Sequence, residues 1–348
     1  MLALQKVHDG EGLALRDVPR PAAPGVDEIQ IAIAATGICG TDLGIEKWGP
    51  GYAGMMRKAL PVTLGHETVG RVTVLGEGVS GLAVGDAVVV NPAIACGECA
   101  ACVEGDPVGC LDRRPFGMVL DGAFAGAVNV DARYAYRLPE TVPLELGALV
   151  EPLSVGLHAL DVAGFVTGQR VVVFGPGPIG QGVAVLAREL GAAEVVVVGF
   201  RDAARFATLR ALGFEGLVDM AEDGAGERLS ALAGRGFDVA IEAAGVASVV
   251  DQALGVLRSQ GVLALAGMGE ASAPVNIGLM VRNRLQLRGV SRIPPAVWPR
   301  VIALLAANPQ GFAGLITHRL PLSQAHEAFA LARSGKASKV LLIPEPAT

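Results

Sequence analysis

The sequence predicts an α/β protein of two parts, one β-rich and one a doubly wound parallel sheet, and three observations predict it. Residues 28–90 alternate or run as short strands cut by glycines, as in EIQIAIAATGI and TVGRVTVLGEGVSGLAVGDAVVV. Residues 168–200, GQRVVVFGPGPIGQGVAVLARELGAAEVVVVGF, read as an apolar strand, a glycine turn, an amphipathic helix and a second apolar strand. Continuous valine runs of this kind suit parallel strands buried on both faces. The same alternation continues through GFDVAIEAAG and GVLALAGMG and stops near 290.

In chain order, the close spacing of the first strands points to a barrel-like domain rather than βαβ units. A cysteine-rich loop at 96–110 interrupts it, and GAFAGAVNVDARYAYRLP resumes the strands. Character changes at PLELGALVEPLSVGLHAL, which is rich in Ala and Leu with helical spacing. The final helix QAHEAFALARSG and strand KVLLIP return to the first domain. The expected boundaries are therefore 1–153 with 291–348 for the β-rich domain and 154–290 for the doubly wound one.

A chain of 348 residues has room for two domains, each with its own core. Hydrophobic residues make up 51% and charged ones 18%, which raises the question of a membrane span. The longest apolar stretches are broken by Gly, Pro or charge short of the ~18–20 residues a span needs. Net charge is −6 and no basic run exists, which argues against nucleic acid or anionic membrane as a partner. The start, MLALQKVHDG, lacks a secretory layout, so a cytoplasmic protein is expected. In a reducing compartment clustered cysteines bind metal more often than they pair.

VVVFGPGPIG places Gly175, Gly177 and Gly180 in G-x-G-x-x-G register between strand and helix, with Pro178 and Ile179 opening the helix. Such a turn lets the backbone approach a pyrophosphate, and the helix N-terminus offers free N–H groups. A turn serving only helix packing is the competing reading. At the end of the second strand, where an acid would hold the ribose of NAD, stands Gly199, followed by Phe200, Arg201 and Asp202. The missing acid and Arg201 lean to NADP, while Asp202 keeps NAD open.

Four of the five cysteines, Cys96, Cys99, Cys102 and Cys110, follow C-x2-C-x2-C-x7-C spacing. Four converging thiolates suit Zn²⁺ and leave no open position, which makes this a structural site. A second, dispersed set comprises Cys39 in GICGTD, His66 and Glu67 in LGHETVG, and Glu151 in LVEPLSVG. Cys, His and carboxylate together form an open, catalytic kind of zinc site. Taken singly, each also reads as an ordinary core, turn or helix-end residue.

The motifs GICGTD, GHE, the four-cysteine loop, EPLSVGLHA, GPGPIG and GKASKVLLI, in this order, resemble the zinc-dependent medium-chain alcohol dehydrogenase superfamily over essentially the whole chain. The nearest branch is that of the sorbitol, butanediol and threonine dehydrogenases. The resemblance implies a GroES-like catalytic domain, a Rossmann domain, and two zinc ions per chain. It implies hydride transfer between a secondary alcohol or polyol, or the corresponding ketone, and NAD(P), in a homo-oligomer, dimer or tetramer. Cys39 and His66 would be zinc ligands, with Glu67 and Glu151 sharing the remaining protein position. Thr41 would hand on the substrate's proton and Asp42 would orient His66. The sequence departs from the pattern at Gly44, where relatives carry a histidine, at FAGA (124–127), and at Ile293 beside Arg292.

Candidate substrate-pocket residues are Trp48, Tyr52, Phe116 and Arg292, beside Thr41. In a chain with 4% aromatics, the pair Trp48 and Tyr52 points to a moderately bulky, partly apolar substrate, with loop anchoring as the other reading. Two other functions compete: amino-alcohol oxidation of the threonine type, with Arg292 as the available cation, and a non-catalytic nucleotide- or zinc-binding protein.

Overall fold

In the computed structural model, which describes residues 1–269 and 272–345, the alternating stretch EIQIAIAATG forms one ten-residue strand whose inward side chains are buried. The described residues divide into two units. The first holds residues 1–151, 298–309 and those from 316 on; the second holds 152–297 and 310–315.

The first unit begins with strands β1 (Leu2–Lys6), β2 (Ala14–Asp17) and β3 (Glu28–Gly37), and helices α1 (Gly40–Glu46) and α2 (Pro50–Met56). Strands β4 (Val62–Thr63), β5 (Glu67–Leu75) and β6 (Ala87–Val90) follow, then α3 (Ala100–Val103), β7 (Ala127–Asp131) and β8 (Ala135–Arg137). Helix α4 (Val150–Ala163) carries the chain onward. With the 3-10 turns before it, α4 makes a helical stretch, 144–163, long and apolar enough to cross a membrane, but 72% of that window is buried within the protein. As expected of the longest apolar stretches, it is interrupted by Gly147, Glu151 and Pro152. The stretch carries Glu145 and Glu151 and packs as a core element.

The second unit alternates strictly: β9 (Arg170–Phe174), α5 (Pro178–Glu189), β10 (Glu194–Gly199), α6 (Ala203–Ala211), β11 (Leu217–Asp219), α7 (Ala225–Ala233), β12 (Phe237–Glu242), α8 (Ala247–Gly255), β13 (Leu257–Leu265), α9 (Ile277–Asn283) and β14 (Gln286–Gly289). Its six strands are all parallel, in the order β11-β10-β9-β12-β13-β14. This is the order of a dinucleotide-binding sheet, with the switch point between β9 and β12. The core is built from Val172, Phe174, Val196, Val198, Ala240 and Leu263 with the inner faces of α7 and α8.

The chain then forms α10 (Val297–Ala307), α11 (Pro309–Ala313), β15 (Ile316–Pro321), α12 (Ala325–Arg333) and β16 (Lys339–Ile343). Strand β16 pairs with β3, so the C-terminal strand completes the sheet β15-β16-β3-β5-β6-β8, with β7 also on β3. The return comes at residue 298 rather than 291. Ser291 stays with the second unit, its carbonyl held by the His158 ring at 3.1 Å. Residues 310–315 also remain there, with Gly314 against Leu212. The last residues of the expected segment, 346–348, lie outside the described ones.

Candidate functional site

Register builds the first site. Gly37, the last residue of β3, pairs with Glu67, the first of β5. The chain leaving β3 reaches Cys39, which caps α1, and the chain entering β5 passes through His66. The Asp42 carboxylate accepts the Cys39 backbone N–H at 2.9 Å and fixes the first turn of α1. The ligand atoms of Cys39, His66 and Glu67 lie within 4.8 Å of one another. Glu151, in the first turn of α4, is outside that tight set among the described residues but shares its field. Burial pushes its carboxyl up to about 7, with Glu67 and Asp42 reinforcing and His66 and Lys339 opposing.

The cluster is rich in anions. Burial disfavours charge on His66, yet Asp42 and Cys39 outweigh it and raise the imidazole well above its ordinary range. Burial pushes the Asp42 carboxyl up to about 6. His66 Nδ1 faces Asp42 Oδ1 at 3.6 Å, too long for a hydrogen bond, and neither atom has another partner. The expected Asp42–His66 pairing is thus a close approach rather than a bond. A cation among Cys39, His66 and Glu67 would relieve this crowding, and the donor set of thiolate, imidazole and carboxylate is that of an open zinc site.

Lys339 was missed by the sequence reading. Its ammonium donates to both Glu67 oxygens at 2.6 and 2.5 Å and to the Ile38 carbonyl at 3.1 Å, with 2% of the residue exposed. Gly37 gives this carboxylate its space, because a Cβ there would overlap Glu67 Oε2. The available signal was a lysine opening the apolar strand KVLLI.

The other expected residues fall in different places. Thr41 sits on α1, and the half-buried Tyr52 ring packs over Gly44 of the same helix, where a Cβ would lie 2.6 Å from it. Trp48 lies under the Lys6 ammonium, 4.7 Å from the ring centroid, and packs at the edge of an apolar cluster, as a loop anchor does. Phe116 is 1% exposed and packed with Ile29, Ile31 and Val90 in the first unit's core. Arg292 is exposed, belongs to the second unit, and has φ 58°.

The four-cysteine loop closes as its spacing predicts. Cys99 caps α3 and Cys102 lies one turn on. The sulfurs of Cys96 and Cys102 are 3.9 Å apart, those of Cys99 and Cys102 3.5 Å, and those of Cys110 and Cys96 3.6 Å. A tetrahedron of Zn–S bonds of about 2.3 Å has edges of about 3.8 Å, so the loop fits zinc, and no pair is at disulfide distance. Backbone N–H groups of Cys102 and Leu111 draw the Cys99 thiol down to about 6.

In the second unit the three motif glycines have three different reasons. Gly175 has φ 103° and turns against Ala243 and Ala244, where a Cβ would come within 2.9 Å of backbone. Gly177 faces open space, and Gly180 packs on the Gly175 carbonyl, where a Cβ would overlap it. Pro178 and Ile179 open α5, and Gln181 holds the Pro176 carbonyl at 2.9 Å. The turn borders a cavity of about 590 Å³ lined also by Gly199, Phe200, Asp202 and Arg205. Pro176 fills the space beside Gly199, where a Cβ would lie 2.7 Å from the ring, which excludes an acid from that position. Asp202 is bridged to Arg205 at 3.1 Å, and Arg201 stacks on Phe200 with φ 57°.

The alcohol dehydrogenase GroES-like domain model matches residues 25–140, and the zinc-binding dehydrogenase model matches residues 178–307. The chain is 33% identical over 348 residues to a sorbitol dehydrogenase of Halalkalibacterium halodurans, covering 99% of each. It is 31% identical over 346 residues to an L-threonine 3-dehydrogenase of Idiomarina loihiensis, covering 98% of this chain and 99% of the relative. The crystal structure of 2R,3R-butanediol dehydrogenase from Bacillus subtilis aligns with a TM-score of 0.88 at 28% identity over 99% of each chain. With both domain models matched in order and relatives aligned end to end, this chain belongs to the zinc-dependent medium-chain alcohol dehydrogenase superfamily and is an oxidoreductase of the alcohol and polyol dehydrogenase type.

Proposed function

We propose that the first unit holds a catalytic zinc through Cys39, His66 and Glu67, with Glu151 completing its surroundings, and a structural zinc through Cys96, Cys99, Cys102 and Cys110. The observation that carries this reading is the convergence of Cys39, His66 and Glu67 to within 4.8 Å. The chemistry supplied there is Lewis-acid activation of an alcohol or carbonyl oxygen, and the nicotinamide accepts or returns a hydride. Thr41 takes the substrate hydroxyl's proton, and Lys339 fixes the Glu67 carboxylate by two charge-assisted hydrogen bonds.

The substrate is a secondary alcohol or polyol. For the dinucleotide, Gly175, Gly177, Pro178, Ile179 and Gly180 form the pyrophosphate turn, and Gly199 ends the second strand. Arg205 joins Arg201 beside the place of the ribose, and Asp202 is committed to Arg205. This combination favours NADP(H) over NAD(H). Clustered cysteines spaced for metal rather than for pairing accord with a cytoplasmic protein, and the family resemblance with a homotetramer.

The test is a panel of secondary alcohols and polyols with NAD and NADP side by side, read by nicotinamide absorbance, together with metal analysis. Two zinc ions per chain and faster turnover with NADP are expected. Cys39→Ala is expected to lose turnover and one zinc while keeping the loop zinc. Retained turnover in that variant removes the catalytic-zinc assignment.

A further inference from the structure

We propose that Pro176, in the glycine turn, is a specificity-determining residue for the dinucleotide: its ring acts as a wedge that closes position 199 to every side chain. The inference rests on the reading above that this cavity takes NADP(H), and it names the residue that keeps the acid of an NAD site out. Three observations converge on it.

The first is a space. A Cβ on Gly199 would stand 2.7 Å from Pro176 Cγ, 2.8 Å from Pro176 Cδ and 3.0 Å from Phe206 Cζ. Gly199 is not left-handed, in contrast to Gly175 at φ 103°. Its backbone therefore accepts any residue, and only the space demands glycine. The second observation is that neither side of the gap can give. Gly175 N–H donates to the Val198 carbonyl at 2.8 Å, and the Gln181 amide donates to the Pro176 carbonyl at 2.9 Å. Gln181 is 0% exposed and belongs to α5, so the turn is tied to both strand and helix. Across the gap, Met220 N–H donates to the Gly199 carbonyl at 2.8 Å, and Gly199 pairs with Asp219 of β11. The pyrrolidine is closed onto its own backbone and has no rotamer that swings it aside.

The third observation is where the closed position lies. Gly199 ends β10, and a carboxylate there would accept the ribose 2′-OH of NAD and repel a 2′-phosphate. Pro176 and Gly199 both line the cavity of about 590 Å³. Among the described residues lining it, Asp202 is the only acid. Its carboxylate accepts from Phe200 N–H at 3.3 Å and from Arg205 at 3.1 Å, so it serves its own loop. Specificity is thus built twice, by cations after β10 and by a wedge before α5. An acid placed at 199 alone cannot convert it.

Two mutant cycles in the full-length, zinc-loaded protein test the wedge. Gly199→Ala adds only a Cβ and reads the space without a charge. It is expected to lower the melting temperature of the cofactor-free protein by about 3 °C or more. Pro176→Ala removes Cγ and Cδ, and against that background Gly199→Ala is expected to cost little. Gly199→Asp reads specificity, by titration with NADPH and NADH followed through nicotinamide fluorescence. Alone, it is expected to weaken NADPH at least about tenfold with no gain for NADH. Combined with Pro176→Ala, it is expected to raise the NADH-to-NADPH affinity ratio by a further factor of about ten or more. Both dinucleotides carry the same pyrophosphate, so a change in the turn itself cancels in that ratio. Wild-type melting in Gly199→Ala, or melting losses that simply add in the double variant, overturns the wedge. Tighter NADH binding by Gly199→Asp with Pro176 in place overturns it as well. A wild-type protein that binds NADH more tightly than NADPH overturns the NADP reading instead, and the cofactor-free melting cycle still decides the wedge.

Discussion

Glu67 and Lys339 are 1% and 2% exposed, and a charge buried to that degree is tolerated only with its partner in place. Gly37 makes the arrangement possible, since any side chain there would collide with the Glu67 carboxylate and come within 3.2 Å of its Cβ. Gly37→Ala is therefore expected to displace Glu67, reduce zinc from two to about one per chain, and lower turnover at least tenfold, with the loop zinc retained. Metal analysis and kinetics check this, and normal zinc content with normal turnover would show that Glu67 needs no such seat. At this scale the sequence was only partly legible. Cys39, His66 and Glu67 could be named from their types and motifs. Lys339 and Gly37 could not, because a lysine at a strand end and a glycine at another announce nothing until β16, β3 and β5 lie side by side. Phe116, named as a pocket candidate, is packed by the sheet into the core of the first unit.

Short elements do the positioning. Helix α3 spans only four residues, yet it sets Cys99 and Cys102 one turn apart, with Cys96 and Cys110 brought in from either side. So short a helix has little stability of its own, and under the proposed zinc reading it is metal ligation that would hold the loop. Cys99→Ala is expected to lose the loop zinc and lower the melting temperature by at least about 4 °C, the shift that about 2 kcal/mol gives for a domain of this size. Thermal melting with metal analysis reads both effects; an unchanged melting temperature and zinc content remove the structural role. The approach of the sulfurs was legible from cysteine spacing, because ligand geometry constrains the sequence directly, whereas α3 itself lies within what reads as a loop. Helices α2 and α10 were not read as helices. The segment of α2 opens on Pro and is broken by glycines, so its sequence resembles a loop, and the helix it forms lays the Tyr52 ring over Gly44.

At the scale of the whole chain, the two-part organisation was legible because each unit carries its own periodicity, alternating in one and strand–helix in the other. The edges were less so, since residues 291–297 and 310–315 stay with the second unit through contacts, such as that of His158 with Ser291, that no sequence periodicity signals. Stability toward acid follows from charge pairs spread over both units. In the first, the Arg319 guanidinium lowers the Glu145 carboxyl. In the second, burial opposes ionisation of Asp238, but the Arg170 backbone N–H at 2.8 Å and Arg258 Nε at 2.5 Å outweigh it and lower its carboxyl. Asp238 thereby ties β12 to the start of β9 and to β13. A carboxyl lowered in the folded state contributes stability above its unfolded value, ordinarily near 3.8 for Asp, and that contribution is lost as pH falls through the lower folded value. Wild-type melting temperature is accordingly expected to fall as pH drops below about 4. Asp238→Asn is expected to cost about 1.5–3 kcal/mol at neutral pH, the range for hydrogen bonds to a charged group. It is also expected to lose less on acidification from pH 5 to pH 3 than wild type does, because the titrating partner is gone. Melting curves across that range decide it: an equal acid-induced loss in both proteins would move the acid sensitivity of the second unit away from Asp238.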